Sequence, residues 1–185
     1  MIWPWIALGA LVVLALWAGG TYNRLVMLRN RIENAWAQVQ VQLKRRWDLI
    51  PNVVATVKGY ATHEAETLEA VIAARNAASN AVGVADVAQA ENALTGALRQ
   101  LFAVAEAYPD LKANQNFLSL QAELTETENK IAYARQFFND TVMTFNTTLE
   151  QFPTVILAGL FGFGRRDSFT VDEAESGPVA VSFEK

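Results

Sequence analysis

The sequence predicts an all-α membrane protein: an N-terminal single-pass transmembrane helix, an antiparallel up-down four-helix bundle of long helices, and a short β-like or disordered C-terminal tail. Three observations predict it. An uncharged, strongly apolar stretch fills residues 1–23. Apolar residues then recur at steps of three and four through most of residues 24–152, which is the period of an amphipathic helix. Three breakers, Pro51, Gly83 and Pro109, divide that region into four parts. The chain has 185 residues, 52% of them hydrophobic and 18% charged. That is enough to build a core and too apolar for a disordered chain.

Residues 1–23 carry no charged side chain. A helix of about 20 residues crosses a ~30 Å hydrocarbon layer, and this stretch reaches that length. Trp3, Trp5, Trp17 and Tyr22 lie towards its ends, where amphipathic rings favour the headgroup region. A cleaved signal peptide needs a basic start and a small-x-small cleavage site. No Lys or Arg precedes the apolar run, and cleavage after Ala18 would put Leu16 at the −3 position. An uncleaved anchor is therefore expected. Arg24, Arg29 and Arg31 follow the span, so the positive-inside rule puts the N-terminus outside and residues 24–185 in the cytoplasm.

The first soluble helix is drawn from Leu25, Leu28, Ile32, Trp36, Val39, Leu43, Trp47 and Ile50, a coiled-coil-like seam that Pro51 is expected to end or kink. A second helix, over about 52–80, turns Val54, Val57, Ala61, Leu68, Val71 and Ala78 inward, with Gly83 as its left-handed cap. Asp86 and Gln89 resemble a capping box opening a third, over 86–107. Its expected core residues are Val87, Ala90, Leu94, Ala97, Leu101 and Ala105. The fourth is the longest, with Phe117, Leu120, Leu124, Ile131, Ala134, Phe138, Val142, Phe145, Leu149 and Phe152 on one face before Pro153. Short connections between such helices favour an up-down bundle over residues 24–152. Residues 153–163 follow as an apolar segment. In the tail, 164–185, Phe169 and Val171, then Val179, Val181 and Phe183, alternate with polar residues. A marginal hairpin or disorder would both fit.

Much chemistry is excluded by composition. Without cysteine there are no disulfides, zinc–thiolate sites, iron–sulfur clusters or thiol nucleophiles. The one histidine, His63, is followed by Glu64, yet Thr67 stands where a zincin needs its second histidine. Glu123, Glu126 and Glu128 read as a solvated helix face, and Gly162-Phe163-Gly164 lacks the context of a phosphate loop. No catalytic residue, metal or cofactor is expected. A net charge of −4 and a pI near 5.1 argue against nucleic acid.

The charge is uneven. Residues 24–46 hold six basic side chains against one acidic, and residues 47–185 hold nine against eighteen. Arg24, Arg29 and Arg31 lie close enough to the span to contact anionic lipid, at about 1 kcal/mol each. An even number of up-down helices returns the chain to the same end, so Arg165 and Arg166 are expected to join them. Lys44, Arg45 and Arg46 stand about 30 Å further along the helix, beyond the reach of lipid charge. With Asp110 and Lys112 they form either an internally paired cluster or a docking patch, spanning 44–52 and 106–117. Residues 152–163, FPTVILAGLFGF, hold no charge. Ile156, Leu157, Leu160, Phe161 and Phe163 are expected to tuck under the bundle, or to meet the bilayer or a neighbouring protomer, with the protomer preferred.

Three long runs carry a resemblance: YNRLVMLRNRIENAWAQVQVQLKRRWDLIPNVVATVKGYATHE, AVAEAYPDLKANQNFLSLQAELTETENKIAYARQFFND, and FGF after Pro153. With them the chain resembles the LemA family of bacterial membrane proteins over nearly its whole length. The resemblance implies a single-pass anchor, an antiparallel helical bundle and no enzymatic activity. It also implies a link to membrane invagination or to membrane proteases, as for some family members. Trp47 departs from the family pattern, which often has histidine there, and this weakens any metal site at that turn. The expectation is a membrane-anchored, self-associating scaffold that organises or shapes the cytoplasmic membrane. The alternative is an adaptor for a membrane-bound protease. The expected partners are thus the lipid bilayer, further copies of the chain, and a protease or other membrane protein.

Overall fold

The computed structural model of the chain describes residues 2–61 and 63–170. Six helices lie among them: α1 Trp3–Lys58, α2 Ala65–Asn80, α3 Val84–Glu106, α4 Pro109–Lys112, α5 Gln115–Glu150 and α6 Thr154–Leu160. No strand occurs among the described residues, and Phe169 is buried outside any helix. The expected pairing of Val171 with Val179, Val181 and Phe183 lies outside the described residues. The chain divides into two units. One comprises Met1–Leu43 with Glu128–Ser168, the other Lys44–Thr127 with the segment from Phe169 onward.

The first unit joins two helix stretches along their apolar stripes. From α1 come Leu25, Leu28, Ile32, Ala35, Val39 and Leu43; from α5 come Ile131, Phe138, Val142, Phe145 and Leu149. Trp36 meets Phe138 at 5.3 Å between ring centroids, while Tyr22 meets Phe161, beyond the end of α5. The two stretches therefore run antiparallel. The inward residue of α1 is Ala35, with the larger Trp36 at the edge of the stripe. Polar residues also enter the seam. Thr141 and Thr148 are buried, and their hydroxyls donate to the carbonyls of Phe137 and Thr144, at 2.8 and 2.7 Å. A buried hydroxyl satisfied by its own helix costs little. Phe152, expected to extend this face, lies past the end of α5 and is 80% exposed.

In the second unit, Ile50, Val53, Val57, Leu68, Val71, Leu94, Leu101, Leu111, Phe117 and Leu124 share one core. They come from the end of α1, from α2, α3 and α4, and from the start of α5. The expected break at Pro51 does not occur; α1 continues to Lys58. Proline cannot donate to the carbonyl four residues back, which here is Trp47 O. Arg75 Nε donates to that oxygen instead, at 3.3 Å. Buried Leu49, Ile50, Val53 and Val54 pin the helix on both sides of the proline. The break comes at Gly59 and Tyr60, whose N–H groups bond back to Thr56 and Val57. Gly83, at φ +92°, opens α3 rather than closing α2, and the start of α3 has no side-chain cap. The capping box is thus absent, and Asp86 lies in the first turn of α3, where its charge favours the helix dipole. The seam of α3 runs through Val87, Glu91, Leu94, Leu98, Leu101 and Ala105, with Ala90 and Ala97 at its margin.

Candidate functional site

Two places concentrate exposed or unusual chemistry, one in each unit. In the first unit, the start of α1 is apolar and uncovered: residues 2–17 are all exposed, with Trp3 at 81% and Leu16 at 72%. Among the described residues, α1 is the one helix long and apolar enough to cross a membrane. Tyr22, near the end of this stretch, stacks edge-on against both Phe161 and Phe163, at 5.0 and 5.7 Å. These contacts hold α6 beside the point where the apolar stretch of α1 gives way to charged helix.

The end of α6 explains how Phe163 gets there. Gly162 adopts φ +69°, a left-handed conformation that glycine reaches without a Cβ clash. Its N–H bonds to Gly159 O, and the N–H of Phe163 bonds to Ala158 O at 2.9 Å. That pair of bonds is a Schellman motif, and it folds Phe163 back, where the Arg29 guanidinium lies 5.9 Å over its ring. A cation over an aromatic face contributes about 0.5–1 kcal/mol at an exposed site.

The expected contact residues of this segment divide. Leu157, for which a tuck under the bundle is one of three expected places, is buried with Ala158 in the core of the unit, because the two share the inward side of a seven-residue helix. Phe163 is half-buried. Ile156, Leu160 and Phe161 stay 56%, 75% and 56% exposed, joined by Phe152 and Val155. Covering such side chains is worth about 1.5–3 kcal/mol each when complete. Of the basic residues, Arg24 and Arg31 are exposed on α1. Arg165 pairs with Glu150. The backbone of Arg166 is fastened to Asn146 by two hydrogen bonds of 2.9 Å, leaving its side chain exposed.

The second place is a buried ion pair. Arg46, expected either in an internally paired cluster or on a docking patch, is 4% exposed and internally paired. Its Nη1 donates to Glu91 Oε2 at 3.1 Å and its Nη2 to Thr95 Oγ1 at 2.8 Å. Trp47 Nε1 donates to Glu91 Oε1 at 2.6 Å, and Thr95 passes its own proton to the Glu91 carbonyl. The physical reason is helical register: Arg46 follows Leu43 by three residues and Glu91 follows Val87 by four, so both fall on core stripes. The indole N–H of Trp47 supplies the carboxylate with a second donor. The rest of the expected patch is exposed and engaged within the unit. Lys44 meets Asp48 at 2.7 Å, Arg45 meets Glu123 at 3.0 Å, and Lys112 meets Glu106. Exposed pairs of this kind contribute about 0–1 kcal/mol. Asp110 sits exposed in the first turn of α4.

Around α4 the sequence AYPDLKANQNF works as a joint. Pro109 begins the helix, Leu111 is buried, and Asn114 accepts from the N–H of Phe117 at 3.0 Å, capping α5. Asn114 also donates to the Tyr60 hydroxyl, and Tyr108 donates to Glu64 at 3.2 Å. Desolvation, then the bond to Glu64 and its charge, raise the Tyr108 pKa above the ordinary phenol value. Between the end of α1 and α2 lies an open, mainly apolar groove of about 460 Å³, lined by Ile50, Pro51, Val54, Leu68 and Ile72, with Arg75 at its edge. His63 is exposed in a turn. Among the described residues no group of three or more His, Asp or Glu side chains is placed to hold a metal.

The profile of the LemA family matches residues 35–183. Protein LemA of Metamycoplasma hominis is 30% identical over 168 residues, which is 88% of this chain and 75% of that protein. Magnetosome protein MamQ 2 of Paramagnetospirillum magneticum is 30% identical over 90 residues, and magnetosome protein MamQ of Magnetospirillum gryphiswaldense 29% over the same length. Each of these two alignments covers 49% of this chain and 33% of the relative. With a matched profile and a relative covered over most of its length, the chain belongs to the LemA family.

Proposed function

We propose that this protein is a membrane-anchored, self-associating scaffold of the bacterial cytoplasmic membrane, without enzymatic activity. One observation carries the proposal: the uncovered apolar start of α1 and the uncovered apolar residues of α6 meet within one unit. A water-soluble protein rarely leaves so much contiguous apolar surface exposed. Residues 3–23 are then the membrane span, with the N-terminus outside and the rest of the chain in the cytoplasm. Residues 24–152 then form the antiparallel helical bundle that follows the span.

Self-association has its own support. On the outer side of the α1/α5 pair, Ala37, Val41, Tyr133, Ala134 and Phe137 line an open groove, with Val41 and Tyr133 63% and 75% exposed. The buried Oε1 of Gln42, on the same groove, has no hydrogen-bond partner among the described residues. A helix from a second copy would cover the apolar residues there. The likeness of part of this chain to magnetosome proteins supports the membrane-associated side of the reading.

A second reading, an adaptor for a membrane-bound protease, is favoured by the groove beside Pro51, which offers a partner an apolar seat with Arg75 at its edge. The mass of the full chain, extracted into lipid nanodiscs, separates the two. Large assemblies of defined copy number are expected; a monomer at all concentrations would overturn the scaffold in favour of the adaptor.

A further inference from the structure

We propose that α6 and its flanks are a second membrane contact, with Phe152, Val155, Ile156, Leu160 and Phe161 seated at the headgroup–acyl boundary of the leaflet from which α1 emerges. The inference rests on reading residues 3–23 as the membrane span. Three observations lead to the bilayer rather than to a protein partner. First, Tyr22 touches both Phe161 and Phe163. A tyrosine at the end of an apolar span belongs at headgroup depth, so whatever packs on it shares that depth. Second, α6 divides its residues by neighbour: Leu157 and Ala158 face the unit's own core, while Ile156, Leu160 and Phe161 stay more than half exposed. A helix held in place on one side and bare on the other suits shallow insertion. Third, residues 152–164 hold no charge, yet Arg29 lies over Phe163, and Arg165 and Arg166 follow directly. Apolar rings edged by arginines are complementary to anionic headgroups over acyl chains. The outer groove at Val41 and Tyr133 has no such tie to the span.

The test exploits the absence of cysteine from the chain. Single cysteines replace Leu160, Ile156, Leu11 and Gln100 in the full chain, each labelled with an environment-sensitive fluorophore. The variants are reconstituted in phosphatidylcholine–phosphatidylglycerol vesicles whose lipids bear a nitroxide quencher at a shallow or a deep acyl position. Labels at positions 156 and 160 should be quenched several-fold more by the shallow nitroxide than by the deep one. The label at position 11 should show the reverse, and that at position 100 neither. If position 11 is quenched and positions 156 and 160 behave like position 100, the proposal is overturned while the anchor stands. A blue-shifted, unquenched signal at 160 that fades as protein is diluted in lipid would mean a second copy covers α6, which also overturns it. Loss of quenching at position 11 would remove the anchor and the proposal together.

Discussion

Removing one partner of the Arg46–Glu91 pair should destabilise the protein far more than removing both. The two side chains are 4% and 3% exposed. Arg46→Met therefore takes from the buried Glu91 carboxylate the guanidinium bonded to its Oε2, and Glu91→Leu takes that carboxylate from the buried guanidinium. Such single deletions cost about 3–5 kcal/mol. In a chain of this size each kcal/mol lowers the melting temperature by roughly 2–4 °C, so each single variant should melt roughly 6–20 °C below wild type. In the Arg46→Met, Glu91→Leu double variant no charge is stranded, and apolar replacements of buried pairs are often neutral or better. Trp47 Nε1 then loses its acceptor on Glu91, and because Trp47 is half-buried the orphaned donor costs at most about 1–3 kcal/mol. The double should stop short of wild type by that margin, and adding Trp47→Phe should recover it. The assay is a thermal and chemical unfolding cycle on the detergent-solubilised full chain. Single effects below ~1 kcal/mol that simply add in the double would refute the reasoning. Arg46 would then be a solvated residue, as the docking-patch alternative requires.

Two further outcomes are expected. Phe138, 1% exposed and packed on Trp36, should cost about 3–5 kcal/mol on replacement by alanine, whereas Asn129→Ala on the exposed side of α5 should cost under ~0.5 kcal/mol; equal effects would mean that the α1/α5 seam is wrongly drawn. In intact cells a cysteine at Gln100 should resist a membrane-impermeant maleimide and react only after lysis, because Arg24, Arg29 and Arg31 follow the span; efficient labelling of intact cells would reverse the topology.

The helical seams were legible in the sequence because burial repeats every three to four residues, and Leu25, Leu28, Ile32, Val39, Leu43 and Phe138 are all buried as their spacing requires. The phase was misread where residue type overrode period. Trp36 and Trp47 suggest a core by size, yet the step from Leu43 falls on Arg46. That arginine becomes intelligible only once Glu91 is seen at the matching place on α3, a pairing that no single helix discloses. The findable signal was Glu91 itself, spaced between Val87 and Leu94 on an otherwise apolar stripe. Pro51 misled for a related reason. The rule that proline ends a helix is local, and here Arg75, 24 residues along the chain, bonds the carbonyl that the proline leaves free. In the apolar segment, lack of charge identified the stretch but not which side chains turn inward. Leu157 differs from Ile156 and Leu160 only by its place on a short helix whose orientation depends on Tyr22. The Gly162 turn was visible only as a short Gly-Phe-Gly motif until its hydrogen bonds to Ala158 and Gly159 were in place.

The most direct measurement of a membrane-organising scaffold is electron cryo-microscopy of the full chain reconstituted in liposomes of cytoplasmic-membrane composition. Wild-type protein should gather into clusters of repeating size and change vesicle shape beneath them, and Leu160→Asp with Phe161→Asp should lessen the shape change. Protein dispersed singly over unaltered spherical vesicles, at every protein-to-lipid ratio, would contradict the scaffold.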